Sequence, residues 1–209
     1  LLLLILFALV LLLSSAARAA DSAREPVPGL SSDRPGLGDG TWVLAPGVWQ
    51  AELGATARES GADRIGEGTA LLRVGLSSTE LRVYLPSPFL SVDGAGAELG
   101  DFGLGLKMPL AWSPDWRWSV VAGATVPTGT DAVSADEAGG FATLVGETSL
   151  TDRLALAINA GTSLAFDAAD EAVFSFIPTL SWPLAGKVSA YAGYAGYFGD
   201  DGDQHWLET

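Results

Sequence analysis

Charged side chains in this sequence recur at positions whose neighbours on both sides are apolar or small. Arg82 stands between Leu81 and Val83, and Lys107 is placed in the same way. Cations and carboxylates at such positions can pair with one another or bind a charged solute. The candidate site residues are Glu52, Arg73, Glu80, Arg82, Lys107, Arg117, Glu147, Asn159, Tyr191 and Tyr197.

Placing these side chains together requires β-strands, because successive residues of a strand point to opposite faces of a sheet. From Thr69 to Phe198, runs of roughly ten residues carry an apolar side chain at every second position. Tight turns alternate with longer links between the runs, which indicates an antiparallel up-and-down meander. The pattern predicts strands at 47–59, 68–76, 80–86, 101–111, 116–127, 141–150, 154–166, 173–183 and 188–198, with a further strand that opens at His205.

Composition excludes several function classes. The 209 residues carry a net charge of −14 and no basic patch, which argues against a nucleic-acid surface. Cysteine is absent, so the chain has no disulfide, no thiolate metal site and no cysteine nucleophile. Hydrophobic residues make up 48% of the chain, yet no stretch after the first thirteen residues is long enough for a transmembrane helix.

The ends of the chain differ from its middle. Residues 1–19 read as a secretory signal peptide, with an apolar block from Leu1 to Leu13 and an Ala17-Arg18-Ala19 cleavage site. The missing Met and basic start lead us to expect a truncated beginning, and an uncleaved anchor helix is the less favoured alternative. We predict a periplasmic tail at 20–41 and a β-barrel at 42–209 whose C-terminal strand or strands are missing.

Aromatic residues separate a soluble sandwich from a membrane barrel, because both show alternation. Tryptophans concentrate near the tight-turn ends of the predicted strands and phenylalanines near the long-link ends, as in the two aromatic girdles of a transmembrane barrel. The residues concerned are Trp42, Trp49, Trp112, Trp116, Trp118 and Trp182, and Phe89, Phe102, Phe141, Phe166, Phe174 and Phe198. The sequence therefore predicts an all-β, antiparallel, up-and-down transmembrane β-barrel of about 10–12 strands in the full-length protein, with the candidate residues lining its lumen.

Five short motifs stand out: Asp33-Arg34-Pro35, the run from Ala45 to Gly54, Leu99-Gly100-Asp101, Val126-Pro127-Thr128-Gly129 and Thr151-Asp152-Arg153-Leu154. Together they resemble an outer-membrane family named after the MetA pathway of phenol degradation. The resemblance covers about residues 31–209. It implies an outer-membrane barrel that serves as a transporter, with a link to uptake of aromatic or other hydrophobic compounds.

Two function classes follow, a passive porin-like transporter of the Gram-negative outer membrane and a sealed barrel with a structural or surface-interaction role. Lumen charges suit a selective pore, but we favour the structural alternative, in which they pair with one another in a wet or plugged interior. Small residues on the seventh and ninth predicted strands suggest a narrow path for a flat solute past the tyrosines. These residues are Ala155, Ala157, Gly161, Ser163, Ser189, Gly193 and Ala195.

An enzyme is the most distant alternative. It is considered because His205 is the single histidine of the chain, and outer-membrane lipases pair a histidine with a serine. No nearby serine stands at a spacing that would place it on the same strand face as His205, and a serine from an adjoining strand is the alternative that stays open. We expect no catalytic residue. The acids Asp200, Asp201 and Asp203 lack the spacing of a defined Ca²⁺ or Mg²⁺ loop, and we expect no metal or cofactor. The expected partners are outer-membrane lipid, the outer-membrane insertion machinery during assembly and a small hydrophobic or aromatic solute.

Overall fold

Twelve antiparallel β-strands form a single sheet in the computed structural model. The structure describes residue 33 and residues 38–60, 63–91, 96–135, 137–166, 172–185, 188–199 and 202–208. The strands are β1 (Trp49–Ser60), β2 (Asp63–Gly75), β3 (Glu80–Leu85), β4 (Pro88–Ser91), β5 (Gly96–Leu99), β6 (Phe102–Trp112), β7 (Arg117–Val126), β8 (Gly139–Thr151), β9 (Leu154–Ala165), β10 (Val173–Ala185), β11 (Val188–Phe198) and β12 (Gln204–Glu208). Within these described ranges, no helix has the length and hydropathy needed to span a membrane.

Strand order follows chain order over most of the sheet, from β12 back to β6, and then continues through β3 to β2. β1 pairs with β2 along its whole length, and residues 70–75 of β2 pair on their other side with β3. Residues 65–67 pair with β4, which forms a short hairpin with β5. The predicted all-β, antiparallel, up-and-down fold is therefore confirmed.

Each predicted strand has a counterpart, and the main differences are two added short strands and an earlier start of β2. The sequence predicts a loop between residues 86 and 101, whereas the structure forms β4 and β5 there. Strands of four residues are too short to display a period-two pattern, so alternation misses them. β2 also begins at Asp63 instead of residue 68, because its extension pairs with both β1 and β4.

Two prolines disturb the ladder of the sheet. The register of β6 against β7 shifts between Pro109 and Ala111. In the pairing of β10 with β11, Phe176 faces Gly196 and the next paired residue is Thr179, so the ladder is interrupted around Pro178. A proline has no N–H to donate, which accounts for both features.

The sheet has two chemically different faces. The polar face is the one that carries Arg73, Glu80, Arg82 and Lys107, all fully buried. The apolar face carries large exposed side chains, including Leu53 at 81% exposure and Trp49 at 67%. This arrangement is the reverse of a water-soluble sheet, in which apolar side chains are buried and charged ones are exposed.

Two aromatic residues lie on the face opposite to the one that the girdle pattern requires. Trp42 precedes β1, and its ring lies beneath the Arg117 guanidinium at 4.8 Å on the polar face. Phe141 contacts Tyr84 edge-on at 5.5 Å, also on the polar face. The prediction placed both in the lipid-facing bands, and for these two residues it is wrong, because a cation and a second ring bind them on the polar side.

The predicted N-terminal regions are only partly described. Residues 1–19, the predicted signal peptide, lie outside the described residues. Within 20–41, Asp33 and residues 38–41 are described, and they pack against the polar face. A tail that leads into the first strand does not require this contact, and the sequence did not predict it. We call Asp33 and residues 38–45 the N-terminal segment.

Candidate functional site

Four neighbouring strands bring the predicted charges together through their register. Gln50 of β1 faces Arg73 of β2, and Arg73 faces Arg82 of β3. Glu80 of β3 faces Lys107 of β6. Directly opposite residues lie on the same face, so this pairing forms a continuous charged row across β1, β2, β3 and β6.

Glu80 separates two like charges. Its carboxylate accepts hydrogen bonds from Arg73 Nε at 2.7 Å and Nη2 at 2.8 Å, a bidentate pair. Arg82 Nη1 lies 3.4 Å from the same carboxylate. Because two opposed arginines repel each other, the shared carboxylate is what allows Arg73 and Arg82 to sit side by side.

Glu52 completes the β1 side of the row. Its Oε1 accepts hydrogen bonds from Arg73 Nη1 and from Gln50 Nε2, each at 2.6 Å. Glu52 and Gln50 are both buried. Glu52, Arg73, Glu80 and Arg82 thus pair with one another, which is the arrangement of the closed-interior alternative.

Asp33 of the N-terminal segment enters the row from above the sheet. Its Oδ2 lies 2.6 Å from Arg82 Nη1, 2.8 Å from Lys107 Nζ and 3.5 Å from Arg73 Nη1. We call Arg73, Arg82 and Lys107 the cation cradle. Asp33 Oδ1 also accepts from Lys107 Nζ at 3.1 Å and from the Gly40 N–H at 3.0 Å.

The cradle holds Asp33 in its charged form. Burial acts to raise the pKa of this carboxyl, but Lys107, Arg82 and Arg73 outweigh burial and keep the pKa of Asp33 well below its ordinary value. The Asp33 side chain has no exposed surface. A buried carboxylate with three cationic partners therefore fastens the segment to the sheet.

Further contacts extend along the segment. Asp39 pairs with Arg82 Nη2 at 2.7 Å, and its backbone exchanges two hydrogen bonds with the Asn159 amide, at 2.8 and 3.1 Å. The Thr41 hydroxyl donates to Glu147, and the Leu44 N–H donates to Glu80 at 3.0 Å. The segment thus spans the polar face from β3 to β9.

The remaining predicted site residues lie apart from the cradle. Arg117 lies 3.5 Å from Glu147 in a partly exposed pair near Trp42. Tyr191 and Tyr197 stand on β11, opposite Ser181 and Ser175 of β10. The structure therefore brings half of the predicted set into one cluster and distributes the rest across the same face.

The small residues of the predicted path are tightly surrounded at two positions. Ala195 has no exposed surface. A Cβ at Gly161 would lie 2.6 Å from the Thr143 hydroxyl and 3.0 Å from that of Ser175. At both points the small residues are closely surrounded by their neighbours.

Several contributors to the site were not among the predicted residues, namely Asp33, Asp39 and Thr41 of the segment and Tyr84, which accepts a hydrogen bond from Arg82 Nε at 3.0 Å. The segment has no periodic pattern, so alternation could not place it. One signal did exist, since Asp33 opens the first motif of the family resemblance.

The remaining candidates are a metal site and a catalytic role for His205. Within the described ranges, no three His, Asp or Glu side chains cluster closely enough to hold a metal ion. Asp200 and Asp201 lie outside the described residues. His205 Nδ1 lies 2.7 Å from the Tyr194 hydroxyl, and its ring packs against Tyr194 and Phe198. Its neighbours are aromatic, and none of these contacts involves a serine.

The fold and the site together define a class, the up-and-down antiparallel β-proteins whose ion-paired polar face is buried and whose apolar face is exposed. The chain belongs to the family described as "Putative MetA-pathway of phenol degradation", whose sequence profile matches residues 32–207. No curated protein and no solved structure matches the chain. The profile covers the cradle, the described part of the segment, strands β1 to β11 and β12 as far as Leu207.

Proposed function

We propose that this chain is a β-barrel of the Gram-negative outer membrane and a passive, porin-like transporter of small aromatic or hydrophobic compounds. In this proposal the apolar face contacts lipid, and the polar face lines the lumen. Outer-membrane lipid and the insertion machinery are its partners, and the family description supplies the link to phenol degradation.

The distribution of side chains between the two faces supports this proposal. Fully buried Arg73, Arg82 and Lys107 would be very costly in a soluble sandwich core, where apolar residues do the packing. Leucines with exposures such as 48% at Leu104 and 41% at Leu144 would be a liability in water and are stabilised by lipid.

The N-terminal segment favours a second candidate, a sealed barrel with a structural or surface-interaction role. Thr41 has no exposed surface, and Val43 and Leu44 are also buried. A segment that covers the polar face from β3 to β9 would block flux for as long as it remains bound. The two candidates therefore differ in whether the segment leaves the polar face. Neither assigns a catalytic role to His205, and lipid hydrolysis by a His205→Ala variant should match that of the unchanged protein.

Lipid exposure is tested with single cysteines, which the natural cysteine-free sequence makes straightforward. Leu104→Cys and Leu144→Cys on the apolar face are labelled with a fluorophore in reconstituted vesicles, and Asp131→Cys in the link after β7 is the control. We expect nitroxide lipids to quench the first two labels and a water-soluble quencher to reach the third. Equal access of the water-soluble quencher to all three positions would contradict a membrane barrel.

Transport is tested separately by swelling of liposomes that contain the full chain. A small neutral aromatic alcohol should enter faster than into protein-free liposomes. Swelling at the protein-free rate, with normal lipid quenching at Leu104 and Leu144, would leave the sealed barrel as the correct candidate.

A further inference from the structure

We infer that the cation cradle is a binding site for a carboxylate-bearing solute, and that the chain's own Asp33 occupies this site in the structure. The three contributing side chains, Arg73, Arg82 and Lys107, come from three different strands and converge on one carboxylate. The inference concerns the solute that the polar face recognises, which the family description does not state.

The first argument is the geometry around Asp33. Its two oxygens accept hydrogen bonds from two kinds of cation, a guanidinium at 2.6 Å and an ammonium at 2.8 and 3.1 Å. These are the distances of charge-assisted hydrogen bonds, which discriminate a carboxylate from a neutral group of the same size. Asp33 therefore shows how an external carboxylate would lie in the cradle.

The second argument is the position of Lys107. Within the described part of the chain, Asp33 is the only carboxylate within ion-pair distance of its ammonium. Arg73 and Arg82, in contrast, also contact Glu80, which belongs to the sheet itself. Departure of the segment would leave a buried Lys107 without a counter-ion, and such a charge is stabilised by the next available anion.

The third argument is the charge balance of the polar face. With the segment bound, the three cations face four carboxylates, those of Asp33, Asp39, Glu52 and Glu80. Asp33 and Asp39 belong to the segment and leave with it. The sheet then presents three cations against Glu52 and Glu80, a net positive charge that attracts an anion although the whole chain is at −14.

These observations make Asp33 a tethered competitor of the solute. Because it is covalently attached, its effective concentration at the cradle is high, and an external carboxylate must displace it. The inference that the transported compound carries a carboxylate rests on the proposed transport function. Binding of a carboxylate at the cradle does not depend on transport. Binding is therefore measured without flux.

The binding test uses benzoate as the probe and benzamide, its neutral counterpart, as the control ligand. The full chain in detergent is titrated with each, as the unchanged protein, as Asp33→Ala and as Asp131→Ala, which removes an exposed carboxylate. We expect Asp33→Ala to bind benzoate at least about tenfold more tightly than the other two, since the competitor is gone. Lys107→Met in the Asp33→Ala background should abolish that gain, and benzamide affinity should be the same throughout.

A second measurement keeps Asp33 in place, in case Asp33→Ala does not assemble. Thr41→Cys places one thiol in the buried part of the segment. Benzoate should accelerate its reaction with a water-soluble maleimide, because displacement of Asp33 releases the segment, and benzamide should leave the rate unchanged.

The inference is overturned if benzoate binds equally to the three proteins, if benzamide gains as much affinity as benzoate, or if benzoate does not change the labelling of Thr41→Cys. Benzoate binding in the expected order with no liposome swelling would retain the site and reject the transport function. Liposome swelling that shows no preference for benzoate would retain the transport function and reject the carboxylate site.

Discussion

At the scale of single residues, two buried or partly buried carboxylates hold parts of the chain that are distant in sequence. Asp33 does so on the polar face, and Asp101 does so at the entrance to β6. Asp101 Oδ1 accepts from the Thr128 and Gly129 N–H groups at 3.0 and 2.9 Å and from the Ser134 hydroxyl at 2.8 Å. Its Oδ2 accepts from the Ala135 N–H at 3.0 Å, so one side chain orders the link between β7 and β8.

Replacement of Asp101 by alanine should loosen this link without affecting the cradle. Partial burial acts to raise the pKa of Asp101, but the hydrogen bonds from Ala135, Gly129, Ser134 and Thr128 prevail and lower it. The stabilisation is therefore present above the ordinary carboxyl pKa of about 3.9 and is lost only as pH falls through the lower folded value. Amide exchange at Gly129 and Ala135 measures it.

The control for this prediction is Asp131→Ala, in the same link but exposed. We expect exchange at Gly129 to be faster in Asp101→Ala than in the control at pH 5, and the difference to persist below the ordinary carboxyl pKa. If the difference between the two variants is already lost before the pH has been lowered to 4, these hydrogen bonds do not favour the charged form of Asp101.

A glycine sets how closely the N-terminal segment can approach β2. A Cβ added at Gly75 would collide with the carbonyl oxygen of Ala45 and lie 2.8 Å from that of Leu44. Since both obstacles are backbone atoms, the segment must move. We predict that Gly75→Ala raises the maleimide labelling rate of Thr41→Cys by roughly tenfold, as expected for a local opening that is about 1.4 kcal/mol easier.

Gly103→Ala is the matched control, because a Cβ there would meet its nearest neighbours at 3.3 Å, which requires them to shift by only a few tenths of an ångström. Its labelling rate should equal that of the unchanged background. Equal rates in both variants would show that the segment does not depend on close approach to β2.

At the scale of elements, the central feature is how β2 and β3 tolerate two opposed arginines. Glu80 bridges Arg73 and Arg82 and also accepts from the Leu44 N–H, so it joins two strands and the segment. We predict that Glu80→Gln lowers the free energy of unfolding by about 3–5 kcal/mol, since it leaves buried like charges without their shared anion. Urea unfolding followed by tryptophan fluorescence measures this loss.

Asp152→Asn, in the exposed turn between β8 and β9, serves as the control and should change stability by less than about 0.5 kcal/mol. If Glu80→Gln were no less stable than this control, the ion-pair row would contribute nothing to holding the strands together.

Elements also show how far the sequence could predict this structure. Alternation located every long strand and placed Glu52, Arg73, Glu80, Arg82 and Lys107 on one face, because side-chain direction in a strand depends only on its period. It missed β4 and β5, which are four residues each and gain their pairing from β2. It also missed the segment, whose position depends on ion pairs with distant residues and on no local pattern.

At the scale of the whole molecule, the two faces of one sheet differ in polarity, so that each face suits a different environment. The exposed apolar face suits lipid, and the buried polar face suits a lumen in which charges pair. The segment adds a second layer on the polar face that carries its own acids to the cradle. We therefore expect the state of the segment to decide whether the molecule conducts.

Single-channel conductance in planar bilayers tests this account most directly, with the unchanged protein compared with Asp33→Ala/Asp39→Ala. The double variant removes the two carboxylates of the segment that pair with Arg82, at 2.6 and 2.7 Å, and with them the ion pairs of Asp33 with Lys107 and Arg73. Asp131→Ala/Asp152→Asn removes two acids elsewhere and is the control. We predict small or rare openings for the unchanged protein and the control, and larger, longer openings for the double variant. Identical traces from all three proteins, conducting or silent, would contradict the account.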